Sequence, residues 1–165
     1  MIKDRLNVID GAASGVGKSL FDSMKAKGHI KFELFDVNGN LKLVKEIDNT
    51  VSTAGKNMIA EQLLASPTIA KPGWMELGTG TPAATKLGAY IIGSRKAFTS
   101  KTRANNVVTM VTTFAAGVGT GAITEAGVFN TATENAADMI LYTNFGVLTK
   151  AATDSLTITW TLTIN

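Results

Sequence analysis

The residues best suited to chemistry lie near the start of the chain. Ala12-Ala13-Ser14-Gly15-Val16-Gly17-Lys18-Ser19 differs at one position from a phosphate-binding loop, in which glycine stands where Ala12 is. In such a loop, backbone N–H groups at a helix N-terminus cradle phosphates and the lysine reaches the terminal ones. Ala12 handicaps that turn, because a Cβ penalises the backbone conformations it uses. A triphosphate site also needs a parallel sheet of alternating strands and helices, whereas the downstream part of this chain alternates strand with strand. A small-residue entry into a helix accounts for the same residues.

Other reactive groups are sparse. The absence of Cys excludes a disulfide scaffold, a thiol nucleophile and Cys-based zinc or iron–sulfur sites. The single His, His29, excludes any site needing two imidazoles; beside Gly28 it reads as a solvated helix exit. Glu125 and Asp138 fall in the C-terminal block with no spacing that would converge them, so paired-carboxylate chemistry has no support. Glu125 reads instead as a rim or inter-strand partner for a lysine or arginine. Arg95, Lys96, Lys101 and Arg103 form a basic cluster in a long loop, either solvated or in electrostatic contact with an acidic partner subunit. These observations assign no catalytic residue, no metal ligand and no cofactor.

The elements that must position these groups follow from length and pattern. A chain of 165 residues suits one domain with a short appendage. Only 18% of residues are charged and 45% are hydrophobic, a composition suited to a surface that lies against other protein. The net charge is +3 and the 16 basic residues are scattered, not gathered in the stripe of a nucleic-acid binder. No apolar run approaches the roughly 20 residues of a spanning helix. Met1 to Leu6 begins with charge and leads into no signal-type core, so the expectation is a whole mature chain made in the cytosol.

From Ser14 to Lys27, Val16, Leu20, Phe21 and Met24 recur at helical spacing and Gly28 stands where a helix would stop. Residues 1–29 thus read as an N-terminal helical arm, with Leu20, Phe21 and Met24 as interface candidates, followed by a β-domain over 30–165. Residues 30–36 and 41–47 read as a hairpin turning on Asn38-Gly39-Asn40. A helix is predicted from Thr53 to Leu64, capped by Ser52 or Thr53 and ended by Pro67. Strands are predicted over 74–80, 106–114, 122–129, 139–148 and 156–164. A long loop runs to about Ala104, with a further strand at 89–92. In the last strand Leu156, Ile158, Trp160, Leu162 and Ile164 alternate strictly with Thr157, Thr159, Thr161 and Thr163, which puts the two sets on opposite faces. Trp74 and Trp160 are core candidates. The pattern predicts a mainly β protein, an antiparallel sandwich or jelly-roll-like domain with one further helix.

Two family resemblances stand beside this reading. Val8 to Gly17, with Gly11, Gly15 and Gly17 at the Gly-x-x-x-Gly-x-Gly positions and Asp36 downstream, resembles the opening of short-chain dehydrogenases. It covers only residues 1–37, and the family's Tyr-x-x-x-Lys is absent: Ser94 follows Tyr90 and Gly146 follows Tyr142 at that spacing. A nucleotide-binding enzyme using Gly11–Ser19 is therefore a remote alternative.

The broader resemblance runs from about Phe32 onward. It rests on Asn49-Thr50-Val51-Ser52-Thr53-Ala54-Gly55-Lys56-Asn57 entering a helix, on Trp74-Met75-Glu76-Leu77-Gly78-Thr79-Gly80-Thr81-Pro82, on Gly121-Ala122-Ile123-Thr124-Glu125-Ala126-Gly127-Val128-Phe129, and on the closing Thr-alternating strand. In this order they resemble a group of small virion proteins of tailed bacteriophages. The resemblance implies a non-enzymatic β-sandwich protein of the particle, without cofactor, localised to the virion. It implies a capsid decoration or cement protein bound to the major capsid protein, a homo-oligomer touching neither nucleic acid nor membrane. A tail, baseplate or fibre-associated virion protein, a host-attachment module, is the alternative.

Overall fold

The threonine-alternating segment becomes strand β9 (Ser155–Ile164), in which Leu156, Ile158, Trp160 and Leu162 are buried and the intervening threonines half-buried. A computed structural model describes residues 25–165 of the chain. β9 runs antiparallel between β1 (Ala26–Phe35) and β6 (Val107–Phe114), with Trp160 opposite both Ile30 and Met110 and Leu156 opposite both Leu34 and Phe114. Register therefore gathers large apolar side chains on one face. Each such residue stabilises the fold by about 1.5–3 kcal/mol when fully buried.

The second half of the molecule is built from β3 (Trp74–Gly78), β7 (Gly121–Phe129) and β8 (Met139–Lys150). β2 (Leu41–Val51), β4 (Lys96–Ala97), β5 (Ser100–Ala104) and one helix, α1 (Thr53–Glu61), complete the described elements. All strands join one antiparallel sheet in the order β4-β3-β7-β8-β2-β1-β9-β6-β5. The sheet curls until its halves share a core, and the rings of Phe32 on β1 and Phe145 on β8 meet at 4.4 Å between centroids.

Two strands turn the corners. β2 pairs with β1 over most of its length and then, at Thr50 and Val51, with β8. The two ends of the sheet, β4 and β5, are separated in sequence only by Phe98 and Thr99. The Phe98 N–H donates to Gly73 O beside β3 at 2.9 Å, and the Thr99 N–H donates to Val111 O on β6 at 2.7 Å. Consecutive residues thus bond to opposite ends of the curled sheet, and the chain bridges them, while among the described strands β4 and β5 pair only with β3 and β6 and remain short edges.

The helix begins where Ser52 accepts the Gly55 N–H at 3.0 Å, as its capping role requires. It ends at Glu61, three residues before the predicted Leu64. The Glu61 carboxylate accepts the N–H groups of Thr68 at 2.8 Å and Ile69 at 3.1 Å, drawing the chain back over the helix end. Leu63 and Leu64 are consequently exposed.

Two further expectations need correction. Gly28 does not stop a helix and His29 does not sit on a helix exit: both lie within β1, which starts at Ala26. The sheet domain therefore begins before residue 30. His29 is half-exposed, its Nδ1 3.1 Å from Asp48 Oδ1 and its Nε2 3.6 Å from Glu46 Oε2 across the strand pair. The predicted strand at 89–92 is reduced to a single bridge between Gly78 and Tyr90, while the stretch read as a long loop contains β4 and β5. The remainder of the arm, with Leu20, Phe21, Met24 and the Gly11–Ser19 loop, lies outside the described residues.

Candidate functional site

The four basic residues of the predicted cluster part company in the fold. Arg95 is buried, its side chain 1% exposed, and it makes no contact with solvent or a partner of the kind the cluster suggested. Its guanidinium donates to Glu76 Oε2 at 2.9 Å and to Thr131 O at 3.0 Å, lies 3.4 Å from Asp138 Oδ1, and stacks 3.5 Å from the Phe129 ring centroid. Burial pushes the Glu76 carboxyl above its ordinary value despite the ion pair. The cause is topological. Glu76 lies between buried Met75 and Leu77 and points to the outer side of β3, where residues 79–95 fold over it.

Glu125 is the second polar anchor beneath that loop, and its partners differ from those expected. No lysine or arginine reaches it. Its carboxylate accepts three backbone N–H groups: Gly80 at 2.9 Å, Ala89 at 2.8 Å and Gly88 at 2.9 Å. A Cβ at Gly78 would overlap the Glu125 side chain, so the Gly-Thr-Gly phrase and Glu125 require one another. A third anchor closes the β8–β9 turn. The buried Lys150 ammonium donates to Ala115 O at 3.0 Å and Asp154 O at 2.6 Å, and burial pushes its pKa down. The Asp154 carboxylate takes Lys42 at 2.7 Å and the Ala151 N–H at 3.0 Å, and the Lys42 hydrogen bond holds it below the ordinary range. Sequence reading missed Glu76, Lys150 and Lys42. For Glu76 the available signal was a charge between the apolar Met75 and Leu77; Lys42 and Lys150 stand between exposed residues and carried no such signal.

Lys96 sits half-buried on β4 opposite Met75. Lys101 and Arg103 are exposed on β5, two residues apart and so on one face. Their register partners on β6 are Met110 and Val108, which places the two cations on the core-facing side of an edge strand. There they border a hollow of about 490 Å³ between β5 and α1, floored by Met58, Val108, Met110, Leu141 and Leu162. A second hollow of about 490 Å³ adjoins it, sharing Ile59 and Ile164.

Together the hollows form a groove. Lys25, Lys27, Lys56, Lys71, Lys101 and Arg103 line it, six of the chain's 16 basic residues, and among the described residues no Asp or Glu does. Among the described residues, none of the six forms an ion pair with a carboxylate. Charges scattered in sequence are thus collected at one end of the molecule.

Fold and site define a mainly β protein whose buried ionisable groups hold loops in place and whose free cations surround an apolar groove. No helix among the described residues is long and apolar enough to cross a membrane. No family model, curated protein or solved structure matches the chain.

Proposed function

We propose that the protein is a non-enzymatic structural subunit of a bacteriophage particle, which decorates and stabilises the capsid by binding the major capsid protein. The observation that carries this reading is the joining of two phrases of the virion resemblance into one physical unit. β3, whose last residue Gly78 opens the Gly-Thr-Gly phrase, pairs with β7, and Glu125 of β7 binds Gly80 just beyond β3. Residues that carry the likeness are therefore those that fix the 79–95 loop on the sheet.

The rest of the geometry supports an adhesive role. The two end strands of the sheet are short, two residues in β4 and five in β5, so little edge is open to indiscriminate strand pairing. Interfaces of ordinary size bury about 800 Å² per partner, and repetition over a symmetric shell adds avidity without strong individual contacts.

The test is to purify particles of the encoding phage with and without an intact copy of this gene. The expected result is the protein on heads by immunogold labelling, with heads lacking it opening at lower temperature. Label confined to tails would replace the reading by a tail-associated role, and absence from particles would overturn it.

A further inference from the structure

The groove between α1 and β5 has three properties that together specify an occupant. Its floor is apolar, from Met58, Val108, Met110 and Leu162. Its walls carry Lys71, Lys101 and Arg103, continued by Lys25, Lys27 and Lys56 in the adjoining hollow, with no acidic residue among the described ones. One side is β5, the last strand of the sheet order, whose five residues bond to β6 alone among the described strands. Among the described residues, its opposite row of backbone N–H and C=O groups has no strand partner.

We propose that this groove receives an extended, acidic segment of a partner polypeptide, laid along the free edge of β5. The backbone of the segment pairs with β5, alternate apolar side chains enter the floor, and carboxylates meet the surrounding cations. This is strand addition to a sheet edge, in which main-chain bonds supply affinity and alternate side chains supply specificity. The five residues of β5 span about 17 Å, so a segment of about eight to ten residues reaches both hollows.

The lining discriminates against the other polyanion that six cations would attract. Single-stranded nucleic acid is held by aromatic side chains on which bases stack, and among the described residues no aromatic one lines either hollow. Nor are Lys101 and Arg103 explained by guarding the edge alone, since Lys25, Lys27, Lys56 and Lys71 surround the same groove from other elements. The proposal rests on the adhesive role above for its choice of a polypeptide.

The test titrates the full-length protein with a fluorescein-labelled decapeptide in which Glu or Asp alternates with Val or Leu. The expected result is saturable binding that weakens at least tenfold in K101E/R103E and several-fold between low and physiological salt. K56Q/K71Q, which removes one cation from each hollow, weakens it as well, and provides the reading should the first variant fold poorly. Amide shifts induced by the peptide should centre on Val108, Met110 and Ile164. No binding, equal binding of a peptide with Lys at the acidic positions, or displacement of the peptide by an equimolar thymidine decanucleotide would overturn the proposal. Absence of the protein from purified particles would overturn the adhesive reading and leave the titration standing. A failed titration with the protein present on particles would overturn the groove alone.

Discussion

Glu125 Oε1 accepts the Gly80 N–H at 2.9 Å although the two residues lie 45 apart in sequence. The same oxygen takes the Ala89 N–H, and its neighbour takes the Gly88 N–H. One buried carboxylate thus supplies the hydrogen bonds that a loop over a sheet face would otherwise lack. Hydrogen bonds to a charged group contribute about 1.5–3 kcal/mol each, and orphaned buried donors cost about 1–3 kcal/mol.

Glu125→Ala is therefore expected to destabilise the protein by about 1–3 kcal/mol, because three backbone donors of a partly exposed loop lose their shared acceptor. Glu125→Gln keeps one acceptor oxygen and should lose less. Urea unfolding gives the magnitude. Amide exchange gives the location, with protection lost first at Gly80, Gly88 and Ala89.

Arg95→Met should cost about 3–5 kcal/mol, since it leaves Glu76 and Asp138 facing each other without the guanidinium. Among the described residues neither Arg95 Nε nor Glu76 Oε1 has a hydrogen-bond partner, so the pair is incompletely satisfied. Arg95→Met combined with Glu76→Leu should accordingly lose less than Arg95→Met alone. Urea midpoints of the two variants and the wild type check the ordering.

Gly28 allows β1 to pass close to Asn49, and a Cβ there would overlap the Asn49 side chain. Asn49 Oδ1 accepts the Trp160 indole N–H at 2.8 Å. Gly28→Ala should displace Asn49, orphan the indole donor and cost about 1–3 kcal/mol. A changed Trp160 emission spectrum in the folded state, with Trp74→Phe as background, would accompany the loss.

Acid should act in opposite directions at two carboxylates. The Asp154 pKa is depressed, chiefly by the Lys42 hydrogen bond, so its contribution is present above the unfolded value of about 3.9 and lost as pH falls through the folded one. The Glu76 pKa is raised by burial, so its proton is bound more tightly in the fold. Its contribution is fully present below about pH 4.3 and fades as pH rises through the folded value. Unfolding midpoints from about pH 6 to about pH 3 should fall less steeply in Asp154→Asn and more steeply in Glu76→Gln.

How much of this was legible beforehand depended on whether the signal was local. The Thr/apolar alternation of residues 156–164 depends only on a two-residue period, and β9 realises it with Leu156, Ile158, Trp160 and Leu162 buried. Ser52 capping α1 is equally local. By contrast, Gly28 after a helical pattern reads as a stop signal until Leu162 and Asn49 flank it as strand partners. Arg95 beside Lys96 reads as surface charge until Glu76 lies beneath the loop.

By itself, then, the sequence determined an antiparallel β protein, the position of most strands and the start of its helix, because periodicity and capping act over a few residues. Only the tertiary structure decided that Phe98 and Thr99 bridge the two ends of the sheet, that Glu125 holds a loop from 36 to 45 residues away, and that Lys25, Lys56, Lys71 and Lys101 surround one groove. Those outcomes depend on pairing between distant strands, whose register is set by burial of the shared core and not by any neighbouring residue.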